Sequence, residues 1–483
     1  MDHGVCVGLL WKNLQWTAHC CGVGQAKIDK LPDDVLLEIF DFYLDYNIDG
    51  PYQDFDKWHT LVHVCQRWRN VVFASPRRLD LRLLCRKERP VRAMLDIWPA
   101  LPISIDIKDF WAPWWEARLD NFMVALEHPD RVRSISLTDV PTSRGGALIA
   151  AMQVRLPELT EMRVRTCALA LPDSFLGGSA PRLRTLWLTN VLFPAAPALL
   201  LSASDLVDLR LEFITYPAYI PPATMVGCLS SLNKLESLIL GFGARPERPR
   251  PPPQSRVVLP TLIKLTFEGM SEYLEDLVAH IDTPVLNQLN VTFFPKSVFD
   301  VQHLKQFIDR AKGFKPSKAA EMRFALWSIH LDLQQPHNSS LGLGVKRRGY
   351  ESISHQVSSL ALLCGQVSHL FCLVERLDLQ TAIRPRESAR EFTEFLEIFQ
   401  LFTATRSLYV HKDLVPLIVP VLQELIGARS TEVLPNLRDL FLGRSVVSSG
   451  SVREAIRPFV DTRRLSGQPI AVQILGERGR VVR

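Results

Sequence analysis

No Cys-x-x-Cys pair occurs among the nine cysteines. They are Cys6, Cys20, Cys21, Cys65, Cys85, Cys167, Cys228, Cys364 and Cys372, an odd number at scattered positions, which sets up neither a zinc site nor a disulfide framework. Most stand among apolar neighbours and read as small core side chains, in keeping with a reducing compartment. No apolar run approaches the roughly 18 to 20 residues that span a bilayer, so no membrane partner is expected. The start, "MDHGVCVGLLWKNL", is acidic at its head, and its apolar run Val5–Trp11 stops at Lys12, unlike a signal peptide. A cytoplasmic or nuclear protein is therefore expected, with residues 1–27 a poorly ordered extension. The net charge of +5 over 483 residues is too small to imply nucleic-acid binding by itself. A 47% hydrophobic and 22% charged content is that of a folded chain, long enough for two or three domains or one repeat array.

Catalytic and cofactor patterns are equally sparse. His59 and His63 are four apart, but Thr60 stands where a zinc-protease motif needs its Glu, so no metal site is expected. "LGLGVKRRG" (Leu341–Gly349) is glycine-rich without GxGxxG spacing or a phosphate-loop Lys-Ser/Thr pair, and reads as a mobile basic loop. "PRRLDLRLLCRKERPVR" (76–92) sets seven basic residues against Asp80 and Glu88. It could touch nucleic acid or an acidic partner. The solvated-face reading is simpler, with Leu79, Leu81 and Leu83 in a strand and Arg78 and Arg82 outward. No Ser/His/Asp or Cys/His arrangement stands out, so no catalytic residue, metal or cofactor is assigned.

What the sequence has in abundance is one phrase. "RVRSISL" begins at Arg131, "LPELTEMRV" at Leu156, "APRLRTLWLTN" at Ala180, "ASDLVDLRL" at Ala203, "LNKLESLIL" at Leu232, "LPTLIKLTF" at Leu259 and "TPVLNQLNV" at Thr283. "LVERLDL", "TATRSLYV" and "LPNLRDLFL" follow at Leu373, Thr403 and Leu434. The shared form is (Pro)-x-Leu-x-x-Leu-x-Leu. Its first apolar position falls at Val132, Leu159, Leu183, Leu206, Leu235, Leu262 and Leu286, a recurrence in the twenties that points to a solenoid of leucine-rich-repeat type. The last two apolar positions are two apart and share a strand face, while the first turns inward at the strand entry. Helical patterns fall between copies, at "GGALIAAMQVRL", "SEYLEDLVAHI", "DVQHLKQFIDRAKGF", "LVPLIVPVLQELIGA" and "SVREAIRPFVDTRRL". In "REFTEFLEIFQLF" the stripe Phe392, Phe395, Leu396, Phe399 and Phe402 keeps helical spacing and reads as core. The register loosens after Val291, around the insert Gln334–Tyr350. "ARPERPRPPPQSR" (Ala244–Arg256) reads as a long surface loop.

Near the N-terminus, "IDKLPDDVLLEIFDFYL" (Ile28–Leu44) places Val35, Leu36, Ile39, Phe40, Tyr43 and Leu44 on one helical face. Pro32 suits the first turn, and Asp33 and Asp34 suit its positive end. A second helix is expected through Trp58, Leu61, Val62, Cys65, Trp68 and Val72, stopped by "ASPRR". Two helices this apolar cannot build a generous core alone.

The order Leu31-Pro32, Ile39-Phe40, Val64-Cys65-Gln66-Arg67-Trp68 resembles the F-box family, over about fifty of the 483 residues. With the repeats behind it, the chain resembles the F-box families expanded in mushroom-forming fungi. It departs from the family in the long acidic connection "DYNIDGPYQDFDK". The resemblance implies a three-helix F-box over 28–78, linking strands and a helix over 79–130, and an irregular leucine-rich-repeat-like α/β solenoid with a curved parallel sheet over 131–483. It also implies docking on the Skp-type adaptor of a cullin ubiquitin ligase, with the repeats holding a protein substrate and catalysis left to other subunits. Leu31, Pro32, Val35, Leu36, Ile39, Phe40, Leu61, Val64, Cys65 and Trp68 carry over as positions that make or support the adaptor interface. Two rivals remain open: a repeat scaffold outside the ubiquitin system, and a nucleic-acid binder using residues 76–92.

Overall fold

The leucine phrase folds as a tight turn that opens into a strand. In six successive copies the first leucine donates its N–H to the carbonyl three residues back: Leu159 to Leu156, Leu183 to Ala180, Leu206 to Ala203, Leu235 to Leu232, Leu262 to Leu259 and Leu286 to Thr283. Each of these leucines is buried, as are the two apolar strand residues that follow it in each copy. The computed structural model describes residues 28–45, 57–76, 78–79, 81–85, 91–98, 100–107, 115–140, 142–193, 195–214, 218–242, 256–334, 339–347, 353–381, 394–425, 429–443, 449–475 and 481–482. The N-terminal extension, most of the acidic connection and nearly all of the proline block lie outside them.

The chain forms two compact units, residues 1–106 with 114–133, and 107–113 with 134–483. The first holds helices Asp33–Asp45, Trp58–Val62, Gln66–Ala74, Val91–Ile97 and Trp115–Leu126, with strands β1 (Leu83–Cys85) and β2 (Ile103–Ile107) paired in parallel. The strand read over Leu79–Leu83 is thus shorter and begins where that reading ended. Leu79 and Leu81 are buried all the same, and their N–H groups bond Ser75 and Pro76 as a turn off the preceding helix.

The second unit is α/β with a mostly parallel, open sheet. Its strands are β3 (Val132–Val140), β4 (Glu161–Ala170), β5 (Thr185–Leu192), β6 (Asp208–Ile214), β7 (Ser237–Phe242), β8 (Val257–Val258), β9 (Lys264–Gly269), β10 (Ile281–Asp282) and β11 (Gln288–Phe293). β12 (Ala319–Phe324), β13 (Ser328–Gln334), β14 (Ser340–Lys346), β15 (Arg376–Thr381), β16 (Ser407–Val410), β17 (Asp439–Gly443), β18 (Ala471–Leu475) and β19 (Val481–Val482) complete it. β3 to β7, then β9 and β11, pair in parallel, with register shifts towards the ends of the β3–β4, β4–β5 and β6–β7 ladders, while β8 and β10 form a small ladder apart. Helices run between strands, each beside the next: Pro222–Leu229 packs against Ser271–Val278, and that against Gln302–Arg310. In the aromatic stripe, Phe395, Phe399 and Phe402 are buried, and Phe395 packs on Phe324 and Phe399.

After β11, where the repeat register was expected to loosen, the parallel pairing gives way. β11 pairs not with β12 but with β14, and β13 runs antiparallel between β14 and β12. Parallel pairing resumes from β12 to β15 and continues to β18. The mobile basic loop read at Leu341–Gly349 is therefore, over Ser340–Lys346, a buried central strand. Leu341, Leu343 and Val345 face the core, and glycines fill the alternate positions. A Cβ on Gly344 would stand 2.5 Å from His330 Nδ1, and one on Gly342 would stand 2.5 Å from Asn290 Oδ1. Only glycine leaves those side chains room to lie across the strand.

The last long helix, Ser449–Leu465, carries near its end an arginine with no exposed surface. Arg463 Nη2 donates to the carbonyls of Leu434, Pro435 and Leu437 at 3.1, 3.3 and 3.3 Å, closing the turn that enters β17. Burial pulls its pKa below the usual guanidinium value. Arg463→Leu should leave those acceptors unmatched, destabilising the chain by about 3 kcal/mol and lowering the thermal midpoint. An unchanged midpoint in differential scanning calorimetry would remove this role.

Candidate functional site

Two surfaces of the molecule carry chemistry beyond packing, one on each unit. On the first, the Leu31-Pro32 entry is held from a distance. Arg67 reaches from the third helix to the Leu31 carbonyl and to Asp33 Oδ1, the latter at 2.7 Å. Pro32 itself accepts from Leu36 N at 3.1 Å and opens the helix. Arg78 braces the same helix through Asp41 at 3.0 Å and Glu38 at 2.5 Å. These hydrogen bonds, Asp41's first, raise its pKa.

The apolar face read as one stripe splits in two. Leu36, Leu37 and Phe40 are buried, with Phe40 against the Trp68 ring at 4.8 Å between centroids. Val35, Ile39 and Phe42 face outward, 40%, 36% and 71% exposed. The single second helix is two, Trp58–Val62 and Gln66–Ala74. Cys65 takes an extended backbone between them, and its sulfur accepts from Trp68 N. Arg69 donates to the freed Val62 carbonyl at 3.0 Å. The break buries Leu61 and Val62 while leaving Val64 and Cys65 outside.

Of the ten interface positions read from the sequence, Pro32, Val35, Ile39, Val64 and Cys65 are thus exposed, and Leu31 and Trp68 half-buried. Leu36, Phe40 and Leu61 lie in the core and can only support a surface. Phe42, the most exposed large apolar residue of this helix, was not among the ten. It lies seven residues after Val35, the recurrence that marks one outward strip. His59 sits in an aromatic cluster with Trp58 and Trp98 while His63 is exposed, and among the described residues no His/Cys/Asp/Glu group is arranged to hold a metal ion.

On the second unit, register places outward side chains of successive strands in rows. Arg163, Trp187 and Arg210 stand side by side on β4, β5 and β6. Both guanidiniums lie over the indole, at 4.1 and 5.4 Å. Each is steadied by a carboxylate two residues away, Glu161 and Glu212. The pattern returns at the other end, where Asp378 pairs with Arg376, Arg376 lies 4.2 Å over Tyr409, and Tyr409 stacks on Phe441 at 4.2 Å and 7°. Trp187 and Tyr409 have both faces covered, so neither is an open platform for a base. Of the basic segment 76–92, residues 77, 80 and 86–90 lie outside the described residues.

Between these stacks His330 lies over Gly344, with Nε2 2.9 Å from Ser328 Oγ. Arg323 pairs with Asp332 beside it at 2.6 Å. Burial pushes the imidazole below its ordinary value of 6.5, against the pull of Asp332. Among the described residues, no helix is long and apolar enough to cross a membrane. Comparison with protein-family models and with curated proteins finds no match.

A depressed histidine pKa stabilises the fold fully above 6.5 and loses that contribution as pH falls towards the folded value, because the unfolded chain takes up the proton first. His330→Gln should therefore lose less thermal stability than the parent between about pH 7 and about pH 5.5. Equal slopes of melting temperature against pH would show that His330 does not titrate in this way.

Proposed function

We propose that this chain is the substrate-recognition subunit of a Skp–cullin–F-box ubiquitin ligase. The first unit would dock on the Skp-type adaptor, and the second, a leucine-rich-repeat-like solenoid, would hold the protein to be modified. Ubiquitin transfer falls to other subunits, so the chain is no enzyme in this reading and works in the cytoplasm or nucleus. The observation that carries it is the outward apolar strip Val35, Ile39 and Phe42, with the exposed Pro32 and Val64 in the same unit, in a segment whose motif order resembles an F-box. A row of large apolar side chains exposed on a helix, while its other row fills a core, is the arrangement that a docking partner covers. The entry held by Arg67 presents Leu31-Pro32 at a reduced conformational cost on binding.

Isothermal titration of the full chain against a purified Skp-type adaptor tests this. The parent should bind, and Leu31→Ala/Pro32→Ala should weaken binding by about tenfold or more. Val35→Asp should do the same with an unchanged thermal midpoint, since Val35 does not fill the core. A folded parent that does not bind would leave a repeat scaffold outside the ubiquitin system. Equal binding by parent and variants would move the interface elsewhere.

A further inference from the structure

The end of the sheet where the parallel strands begin changes character part-way along the second unit. In the earlier repeats the residue just before each first leucine carries a charge, and the charges pair from one repeat to the next: Arg182 with Glu158, and Lys234 with Asp205 at 2.6 Å. Thr261 follows at the same position, its hydroxyl shared between the carbonyls of Asn233 and Leu235 at 3.0 and 2.9 Å. Beyond it the position turns apolar, with Val285 before β11, Pro316 before β12 and Leu373 before β15. Val285 and Leu373 are 47% and 51% exposed, and Pro316 is exposed as well.

Cations gather at the same end. The pairings Ala319–Arg376, Arg376–Ser407 and Ser407–Asp439 set the residues just before them level. Lys318, Glu375, Arg406 and Arg438 therefore form one row at the strand spacing of about 4.8 Å. Arg406 pairs with Glu375 at 3.5 Å. Lys318 and Arg438 are exposed and make no ion pair with any described residue. The chain reaches Lys318 from the helix Gln302–Arg310 along the β11 turn, where a Cβ on Gly313 would stand 2.7 Å from the Leu286 carbonyl oxygen. Lys312, beside that glycine, is exposed and likewise makes no ion pair with a described residue. Asp439 is the near carboxylate without an ion pair; set against Lys312, Lys318 and Arg438, it leaves an excess of two positive charges. The earlier repeats neutralise this end of the sheet within the fold, and the later ones leave it cationic and apolar.

We infer that the strand-entry end of the later repeats is a contact surface for an acidic, aliphatic segment of a protein. Carboxylates of the partner would meet Lys312, Lys318 and Arg438, and its aliphatic side chains would lie on Val285, Pro316 and Leu373. Charge complementarity sets that choice. A single-stranded nucleic acid stacks its bases on aromatic rings, and neither row holds one. An anionic membrane takes up Trp, Phe and Leu side chains that reach below its headgroups, and of these residues only Leu373 is of that kind. The inference rests on the reading of this chain as a recruiter of proteins, and adds the chemistry of what it recruits.

A phage-displayed library of random dodecapeptides, selected on the full chain, tests it. Selected sequences should place Asp or Glu beside Leu, Ile or Val, and a synthetic peptide of that consensus should bind in solution, more weakly as salt rises. Lys318→Gln/Arg438→Gln and Leu373→Ser should each weaken that peptide by about fivefold or more. Their thermal midpoints should stay at the parent's, because all three side chains are exposed. Lys234→Gln, in the paired ladder of the earlier repeats, should bind the peptide as the parent does. Four results would overturn the inference: no enrichment of such sequences, equal binding by the parent and the first two variants, an equal loss in Lys234→Gln, or tighter binding of a single-stranded oligonucleotide or of phosphatidylserine vesicles. Adaptor affinity measured on the same preparations separates the two readings. A chain that selects such peptides without binding the adaptor keeps this surface and loses the ligase role. One that binds the adaptor but selects nothing keeps the role and loses the surface.

Discussion

One carbonyl per repeat organises the second unit. The oxygen of Thr160, just before β4, accepts from the N–H groups of both Arg184 and Thr185 in the next repeat. Arg184 does the same for Val207 and Asp208, Val207 for Glu236 and Ser237, Glu236 for Ile263 and Lys264, and Ile263 for Asn287 and Gln288. Both lone pairs of each oxygen are used, and the donors lie at the mouth of a strand, where a buried N–H would otherwise stand alone. This clamp fixes where each strand starts relative to the last. Everything that depends on level follows: leucines stack on leucines inside, and outside Arg163, Trp187 and Arg210 come to one height and can stack.

The clamp also explains why the array tolerates its interruptions. Lys318 offers its carbonyl to Glu375 and Arg376, Glu375 to Arg406 and Ser407, and Arg406 to Arg438 and Asp439, so the same device restarts beyond the antiparallel strands. The outer rows restart with it, as the Arg376–Tyr409–Phe441 stack shows. The first unit relies on side chains instead. Arg67, Arg69 and Arg78 each cross between segments to hold a carbonyl or carboxylate, fastening short helices that have little core of their own.

The repeats were legible because turn, strand and leucine spacing recur together, so that a slip in one would be exposed by the others. The β12–β14 insertion was not, since Gly-rich composition suggests a loop, and what makes "LGLGV" a strand is Asn290 and His330 on neighbouring strands filling the glycine spaces. On the first helix, 3.6-residue spacing located an apolar face without its buried edge. Leu37 belonged inside and Val35 and Ile39 outside, a choice made by Trp68 and the helices beneath. The break at Cys65 was hidden for a similar reason: apolar spacing runs straight through it, and the sulfur cap is visible only in three dimensions. Phe213, near the end of β6, takes a φ of +52°, and nothing in the sequence marks a phenylalanine for that conformation.

The strand order β11–β14–β13–β12 has a consequence for how the chain assembles. A repeat array ordinarily grows one unit at a time from any nucleus. Here β12 is laid down ahead of the growing edge, and β13 and β14 must return to fill the gap before the sheet is continuous. Ser340 meets Gln288 across roughly twice the sequence that separates Gln288 from Lys264, a loop closure costing only about 0.6 kcal/mol more in entropy. The two runs of parallel strands are therefore joined only through β13 and β14, so the sheet is continuous only when both are in place.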